Sequence, residues 1–489
     1  MAARAERPAA SASFARLSER ATLWLLIAIL AWVQFPLGSN HPWSWSFLVL
    51  LVALDWLAWI PAGLADWSAT VRAAKRVAIP GALLLSVLIW GWVQSAGFTP
   101  AAWHNPVWSM ASPALGRAVA GAISINPFVS ATELMKLASY VATGWLAFVL
   151  AARYENARTL FVAVFAVGVA YALYGIVLSA LGTSQLTLLE GLPPPYGRDV
   201  SGGLVAKNSF ATFTGMALLA GLTLLVEAGR HAIVTVHGWR THLRTLIHFA
   251  AGRGAVWLIG TLILLAALIA SDSRAGLIAT LVGLLVMFAI AIVVSARRNA
   301  LKWTFAGGAG AALAILALFL LNGATLQSRF ENMIETAGAG EIRPMLWGVA
   351  IRAIAAHPLL GTGLGTYGDV YRLYADSFIP YVVDRVHNDY LELALGLGIP
   401  AACLWIFALL ILTGQCALGA LMRRRRRIYA IAAVGASALA GFHSMFDFSL
   451  QMPAVSVLYA IVMGIGVAQA YASREDAVEP AFARGASGR

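Results

Sequence analysis

Charge is scarce in this chain. Asp, Glu, Lys and Arg make up only 11% of its 489 residues, while 60% are hydrophobic. A soluble domain carries roughly twice that charged fraction, so a soluble globular protein is excluded. Cysteine is nearly absent as well. Cys403 and Cys416 are the two present, both in one apolar run, which excludes a disulfide framework and any Cys/His zinc spacing. No phosphate-binding P-loop and no dinucleotide fingerprint occurs, so chemistry driven directly by a nucleotide has no seat. Acidic residues are the scarcer sign, 22 against 34 basic, for a net charge of +12.

What is abundant is long apolar sequence. A helix needs about 20 mostly apolar residues to cross a bilayer. Twelve such runs occur, near 21–37, 43–62, 77–96, 131–152, 159–181, 207–226, 255–271, 276–295, 303–321, 400–421, 429–446 and 453–471. The short alternating segments of a membrane β-barrel are missing. The expected fold is an all-α integral membrane protein of about twelve spans. With the N-terminus in the cytoplasm, every inside segment is basic and 24 of the 34 basic residues fall inside, as the positive-inside rule requires. The excess charge is thus a topology signal rather than a nucleic-acid surface. The run Arg423–Arg427 is best placed facing anionic lipid. The first run lacks a small-residue cleavage site and is expected to stay as a span. Residues 1–18 and 474–489 have the composition of disordered cytoplasmic tails, leaving a membrane domain over 19–473. Segment 227–254 has the spacing of an interfacial amphipathic helix.

Three outer segments exceed a simple turn: 97–130, 182–206 and 322–399, the last large enough for a subdomain. Ten basic residues lie on this side against the charge bias, among them Lys136, Arg198, Lys207, Arg274, Arg343 and Arg385. Arg274, in "SDSRAG", sits in a turn between two spans. An arginine at mid-membrane costs about 2.5–3.5 kcal/mol, less near the interface. It is tolerated either as a snorkelling residue tied to Asp272 or as a planar fork that grips a diphosphate.

The stretch 341–371 predicts a helix opened by Pro344, with Met345, Leu346, Val349, Ile351 and Ile354 as its apolar face, stopped by Pro358. Gly361, Gly363, Gly365 and Gly368 follow, a spacing that exposes backbone N–H groups to phosphate or sugar, or simply makes a turn. "DRVHNDYLELALGLGIP" at 384–400 then reads as a short half-helix with His387 at its N-terminal tip. Either Asn388 or Asp389 caps it, and Asp389 with Glu392 has capping-box spacing. The positive helix end favours a neutral imidazole and a nearby anion. His387 is therefore either a capping or interfacial histidine or a general base beside an arginine cluster. The other eight histidines are read as structural, with His443 in at most an indirect supporting role.

These residues resemble the O-antigen ligase and polymerase superfamily. "HNDYLELALGLGIP" resembles its His-Asn signature, followed after nine residues by glycine. "SDSRAG", "RPMLWGVAIRAIAAHPLLGTGLGTY", "AKNSFATF" at 206–213 and "FHSMFDFSLQMPA" at 442–454 resemble further family stretches in order. The likeness is strongest over about 200–465 and faint in "FPLGSNHPWSW". It implies a metal-independent, inverting glycosyltransferase of the GT-C type, without cofactor, in the bacterial inner membrane. The enzyme would move a glycan from undecaprenyl diphosphate to an acceptor hydroxyl at the periplasmic face. By resemblance, His387 deprotonates or positions the acceptor, and Arg274 and Arg343 bind the diphosphate. Lys207, Asn208, Arg198 and Arg385 are candidate substrate contacts. A ligase with a lipid A-core acceptor, a polysaccharide polymerase and a protein O-oligosaccharyltransferase share these motifs, with ligase-type transfer the first choice. A lipid-glycan transporter would instead need ionisable groups deep in the membrane, where Asp55 is the main one.

Overall fold

The computed structural model describes residues 6–194, 199–234, 239–295, 306–310, 312–313, 342–376, 383–423 and 426–471. Every regular element among them is a helix. In chain order these are α1 (Glu6–Trp32), α2 (Pro42–Ala65), α3 (Trp67–Arg76), α4 (Ala78–Ser95), α5 (Val107–Ala114), α6 (Pro127–Leu150), α7 (Tyr154–Ala180), α8 (Gln185–Glu190), α9 (Lys207–Val234), α10 (Trp239–Ala251), α11 (Ala255–Ala270), α12 (Arg274–Val294), α13 (Arg343–Ala356), α14 (Tyr367–Tyr374), α15 (Asp389–Leu397), α16 (Ile399–Met422), α17 (Ile428–His443) and α18 (Pro453–Ala470).

Eight of these are long and apolar enough to cross a membrane: α2, α4, α6, α7, α9, α12, α16 and α18. Helices α11 and α17 are apolar but shorter. The first expected run is the end of α1, which begins at Glu6 inside the expected tail and stops at Trp32, ahead of Pro36. Most of the ninth run, 303–321, and residues 322–341 of the large loop lie outside the described residues. Segment 227–254 is divided between the end of α9 and the separate helix α10, whose Phe249 packs against Gly229 and Gly254.

Hydropathy alone makes these helices alike; burial separates them. In α18, 94% of the apolar window is buried inside the protein and in α9 83%, against 22% in α2 and α16. So α9 and α18 form the axis, and α6, α7, α11, α12 and α17 pack around them. Without a hydrophobic force between helices in lipid, such close packing relies on van der Waals fit and small residues.

The described part of the large loop folds on a core of its own. Leu346, Val349, Ala350 and Ala353 of α13 meet Tyr367, Val370, Tyr371, Val386 and Leu395. Pro344 lies in the first turn of α13 as expected, but Ile351 faces outward, because the buried stripe runs through the alanines instead. This small core carries α15, and α15 carries the site.

Candidate functional site

His387 lies just before α15, in the left-handed region at φ +57°. Histidine is among the few non-glycine residues that visit this region, and such a conformation persists only where the surroundings over-determine it. Asn388 is the N-cap, its side chain accepting from the N–H groups of Tyr390 and Leu391. That settles the capping question in favour of Asn388. Glu392 does not close a capping box; it accepts from Val386 N–H and from Arg385. The imidazole stands edge-on to Phe448, 4.8 Å between centroids, and its Nδ1 is 3.2 Å from Asp447 Oδ1.

Asp447 is a candidate site residue that the sequence did not single out. It lies between α17 and α18 and is only 1% exposed, whereas the His387 side chain is 32% exposed. Burial pushes the Asp447 carboxyl up, but the hydrogen bond from His387 and the charges of His443 and His387 outweigh it, so the group titrates below its ordinary value. A carboxylate can only accept. Nδ1 therefore carries the hydrogen toward Asp447, and Nε2 is left as the proton acceptor. The arrangement orients an imidazole and offsets the charge it gains on taking a proton.

The segment bearing Asp447 is clasped to α15 by hydrogen bonds. Asn388 Nδ2 donates to Met445 O, Asp389 N–H to Ser444 O, and Tyr390 Oη to Gly441 O. The buried Asp389 carboxylate accepts from Ser444 Oγ at 2.8 Å, Gln451 Nε2 at 3.0 Å and Leu450 N–H at 3.3 Å. Burial, opposed by the Ser444 and Gln451 hydrogen bonds, pushes Asp389 up to about 7 from 3.8. Between those values the folded protein keeps a proton that the unfolded chain has lost. The contribution of this group to stability is therefore greatest at and below about pH 4, falls as pH rises, and levels off above about pH 7. The thermal midpoint of the wild type should accordingly fall relative to Asp389→Asn between those limits. A constant gap from pH 4 to 7 would contradict the assignment.

A second set of groups forms around Arg274. In the turn before α12, Asp272 takes φ +48°, and Ser273 caps α12 by accepting from Gly276 N–H. Ser273 Oγ donates to Asn208 Oδ1 at 2.8 Å, which docks the turn on the start of α9. Glycine is required at 276, since a Cβ there would sit 2.3 Å from Ala211 Cβ. That close approach accounts for the glycine of "SDSRAG". Lys207 Nζ is 2.7 Å from Asp199 Oδ2 and 3.7 Å from Asp272 Oδ2. Asp272 thus leans toward Lys207, while Arg274 is exposed at the first position of α12.

One turn further along α9, Thr212 Oγ1 is 3.0 Å from His443 Nδ1, and Ser449 Oγ is 3.0 Å from the same nitrogen. His443 is fully buried and belongs to the α17–α18 segment that carries Asp447. The positive charge of Arg343, at the start of α13, acts on this ring. Arg274, Lys207, Asn208, Arg343, His387 and Asp447 are thus brought to one end of the bundle through α9 and the 443–452 segment.

Two further candidates are enclosed by their neighbours. Arg385 was a candidate substrate contact. Its guanidinium is 11% exposed and held by Glu392, Glu133 and Gln451. Burial works against its charge, but Glu133 and Glu392 outweigh that and raise its pKa. The glycine-rich turn is not an open cradle for phosphate or sugar: Thr362 and Gly363 N–H donate to Leu395 and Gly396 O at 2.9 Å. A Cβ on Gly398, at φ +80°, would lie 2.3 Å from Leu359 O. These glycines let the turn and the end of α15 pack backbone on backbone. Arg198 lies outside the described residues. Among the described residues no three His, Cys, Asp or Glu side chains converge on a metal position.

An all-helical, multi-pass membrane protein with an oriented histidine and an exposed arginine at one end of its bundle has groups able to take up a proton and to face an anion. Residues 259–406 match the family model described as O-antigen ligase. The match includes Arg274, Arg343, Arg385 and His387 and supports the family resemblance carried by those motifs. Lys207, Asn208 and Asp447 fall outside it. The family is glycosyltransferase-like and implies lipid-linked glycan and acceptor substrates in general terms. No curated protein matches the chain.

Proposed function

We propose that the chain transfers a glycan from undecaprenyl diphosphate to an acceptor hydroxyl at the periplasmic face of the bacterial inner membrane, with inversion and without a metal. The observation that carries this reading is the His387–Asp447 pair, a part-exposed ring backed by a buried carboxylate at 3.2 Å. His387 Nε2 takes the proton of the acceptor hydroxyl as its oxygen attacks the anomeric carbon. The bond from that carbon to the diphosphate oxygen breaks, and the electron pair leaves on the diphosphate. Arg274 and Arg343 face the charge that grows there, which is where fixed cations lower a barrier. Lys207 and Asn208 set the turn that aims Arg274. The reading takes lipid A-core as acceptor, as in a ligase.

The test uses purified protein, an undecaprenyl-diphosphate glycan and three acceptors: lipid A-core, a second lipid-linked glycan and a protein substrate. Transfer to lipid A-core should survive EDTA. Arg274→Ala should lower the rate about 10²–10³-fold, as loss of one donor to a developing oxyanion does. Chain extension in place of lipid A-core modification would identify a polymerase, and glycan on protein an oligosaccharyltransferase. Movement of the lipid without a new glycosidic bond would overturn the enzyme reading.

A further inference from the structure

Against the clasp, a cavity of about 450 Å³ runs between α4, α6, α16, α17 and α18. Along α6 it is lined by one stripe, from Glu133 through Leu137, Tyr140 and Gly144 to Phe148. The fifteen helical steps from Glu133 to Phe148 make this stripe about 22 Å long, close to the length of an acyl chain. Gly81 of α4 and Leu410 of α16 line it and are exposed on the outer flank of the bundle. The cavity is therefore reached sideways, from the membrane.

Its upper end is polar and leans acidic. Glu133, Asp389 and Glu392 meet there with Arg385. Arg385 is already paired with Glu133 and Glu392, and Lys136 with Glu133 at 2.6 Å. Among the described residues that line this end, carboxyl groups outnumber guanidinium three to one, which disfavours an anionic head group. Lower down, the Tyr140 hydroxyl is buried without a hydrogen-bond partner, and so is the Trp145 indole N–H. Tyr140 is only 8% exposed, lines the cavity and stands seven residues, about 10 Å, below Glu133. A buried donor left without a partner is costly, so the occupant should bring an acceptor to that depth. A glycerolipid ester carbonyl does so; a polyprenyl chain has none.

We propose that this cavity holds one acyl chain of a zwitterionic glycerophospholipid, its ammonium against the Glu133–Asp389–Glu392 end and an ester carbonyl on Tyr140, in a site separate from the diphosphate donor. The lipid braces α15 and its clasp through Asp389, Tyr390, Glu392 and Leu393. The proposal stands apart from the transferase reading, because its readout is lipid occupancy and not turnover.

The test is native mass spectrometry on the delipidated full chain offered phosphatidylethanolamine, phosphatidylglycerol of the same acyl chains, and undecaprenyl phosphate. One phosphatidylethanolamine should be retained in preference to phosphatidylglycerol by about tenfold or more. Leu410→Trp, which blocks the flank without touching the core, should reduce that occupancy about tenfold, and Tyr140→Phe should weaken it with no loss of folding. His387→Ala should bind as the wild type does. Equal retention of phosphatidylglycerol, unchanged occupancy in Leu410→Trp, or displacement by undecaprenyl phosphate would each overturn the proposal.

Discussion

His387→Asn is expected to lower glycan transfer by about 10²–10⁴-fold, the usual worth of a positioned general base, while the protein folds and inserts normally. Asparagine is the apt replacement because it tolerates the left-handed backbone that residue 387 adopts yet cannot take a proton. Asp447→Asn should cost a similar factor by a different route. An amide in place of the carboxylate can donate as well as accept, so the ring loses the partner that fixes its hydrogen on Nδ1. In a His–Asp pair of a hydrolase the same change costs up to about 10⁴. The expected signature is a fall in kcat with KM for the donor unchanged, since Asp447 is buried behind the ring and touches no substrate. The double variant should be no slower than His387→Asn alone, because groups that act as a unit do not lose activity additively. A double variant slowed by the product of the two factors would show that Asp447 acts independently of His387.

Arg385→Met should instead show itself as loss of the fold. It removes the cation between two carboxylates, Glu133 and Glu392, whose side chains are 18% and 5% exposed. Breaking a buried pair by deleting one partner costs about 3–5 kcal/mol, because the remaining charge has no water and no partner. The measurement is a denaturation midpoint in detergent beside that of Arg274→Ala, whose side chain is exposed and whose loss should leave stability within about 0.5 kcal/mol. If Arg385→Met kept its midpoint and lost transfer, Arg385 would have to be moved to the substrate.

The helical membrane fold was legible because apolar runs of fixed length have few other uses. The bounds of α13 were legible through Pro344 and the stop at Pro358, but its buried face was not, since Ile351 faces outward. Arg385 and Arg274 look alike in sequence, each an arginine against the charge bias. What separates them is Glu133, 252 residues away in the chain from Arg385, and no local pattern announces that pairing. Asp447 lay inside a stretch already singled out, "FHSMFDFSLQMPA", but its role depends on a contact across 60 residues. In sequence the glycines of 361–365 leave two readings open, a cradle for phosphate or sugar and a plain turn. Thr362 and Gly363 N–H donate to the carbonyls at the end of α15 and Gly361 N–H to His357 O, partners that only the packed structure supplies.

The order of residues along the chain gives the clasp a further consequence. His387 and α15 are synthesised before α17 and α18, and every described hydrogen bond that ties His387 and Asn388 to a partner outside α15 comes from residues 445–447. Until the final helical hairpin has entered the membrane and closed on α15, the imidazole has no carboxylate behind it. Competence is thereby coupled to completion. A chain stalled or cut before residue 444 would carry every arginine of the site and still lack an oriented base, so unfinished molecules in the membrane would be silent rather than promiscuous.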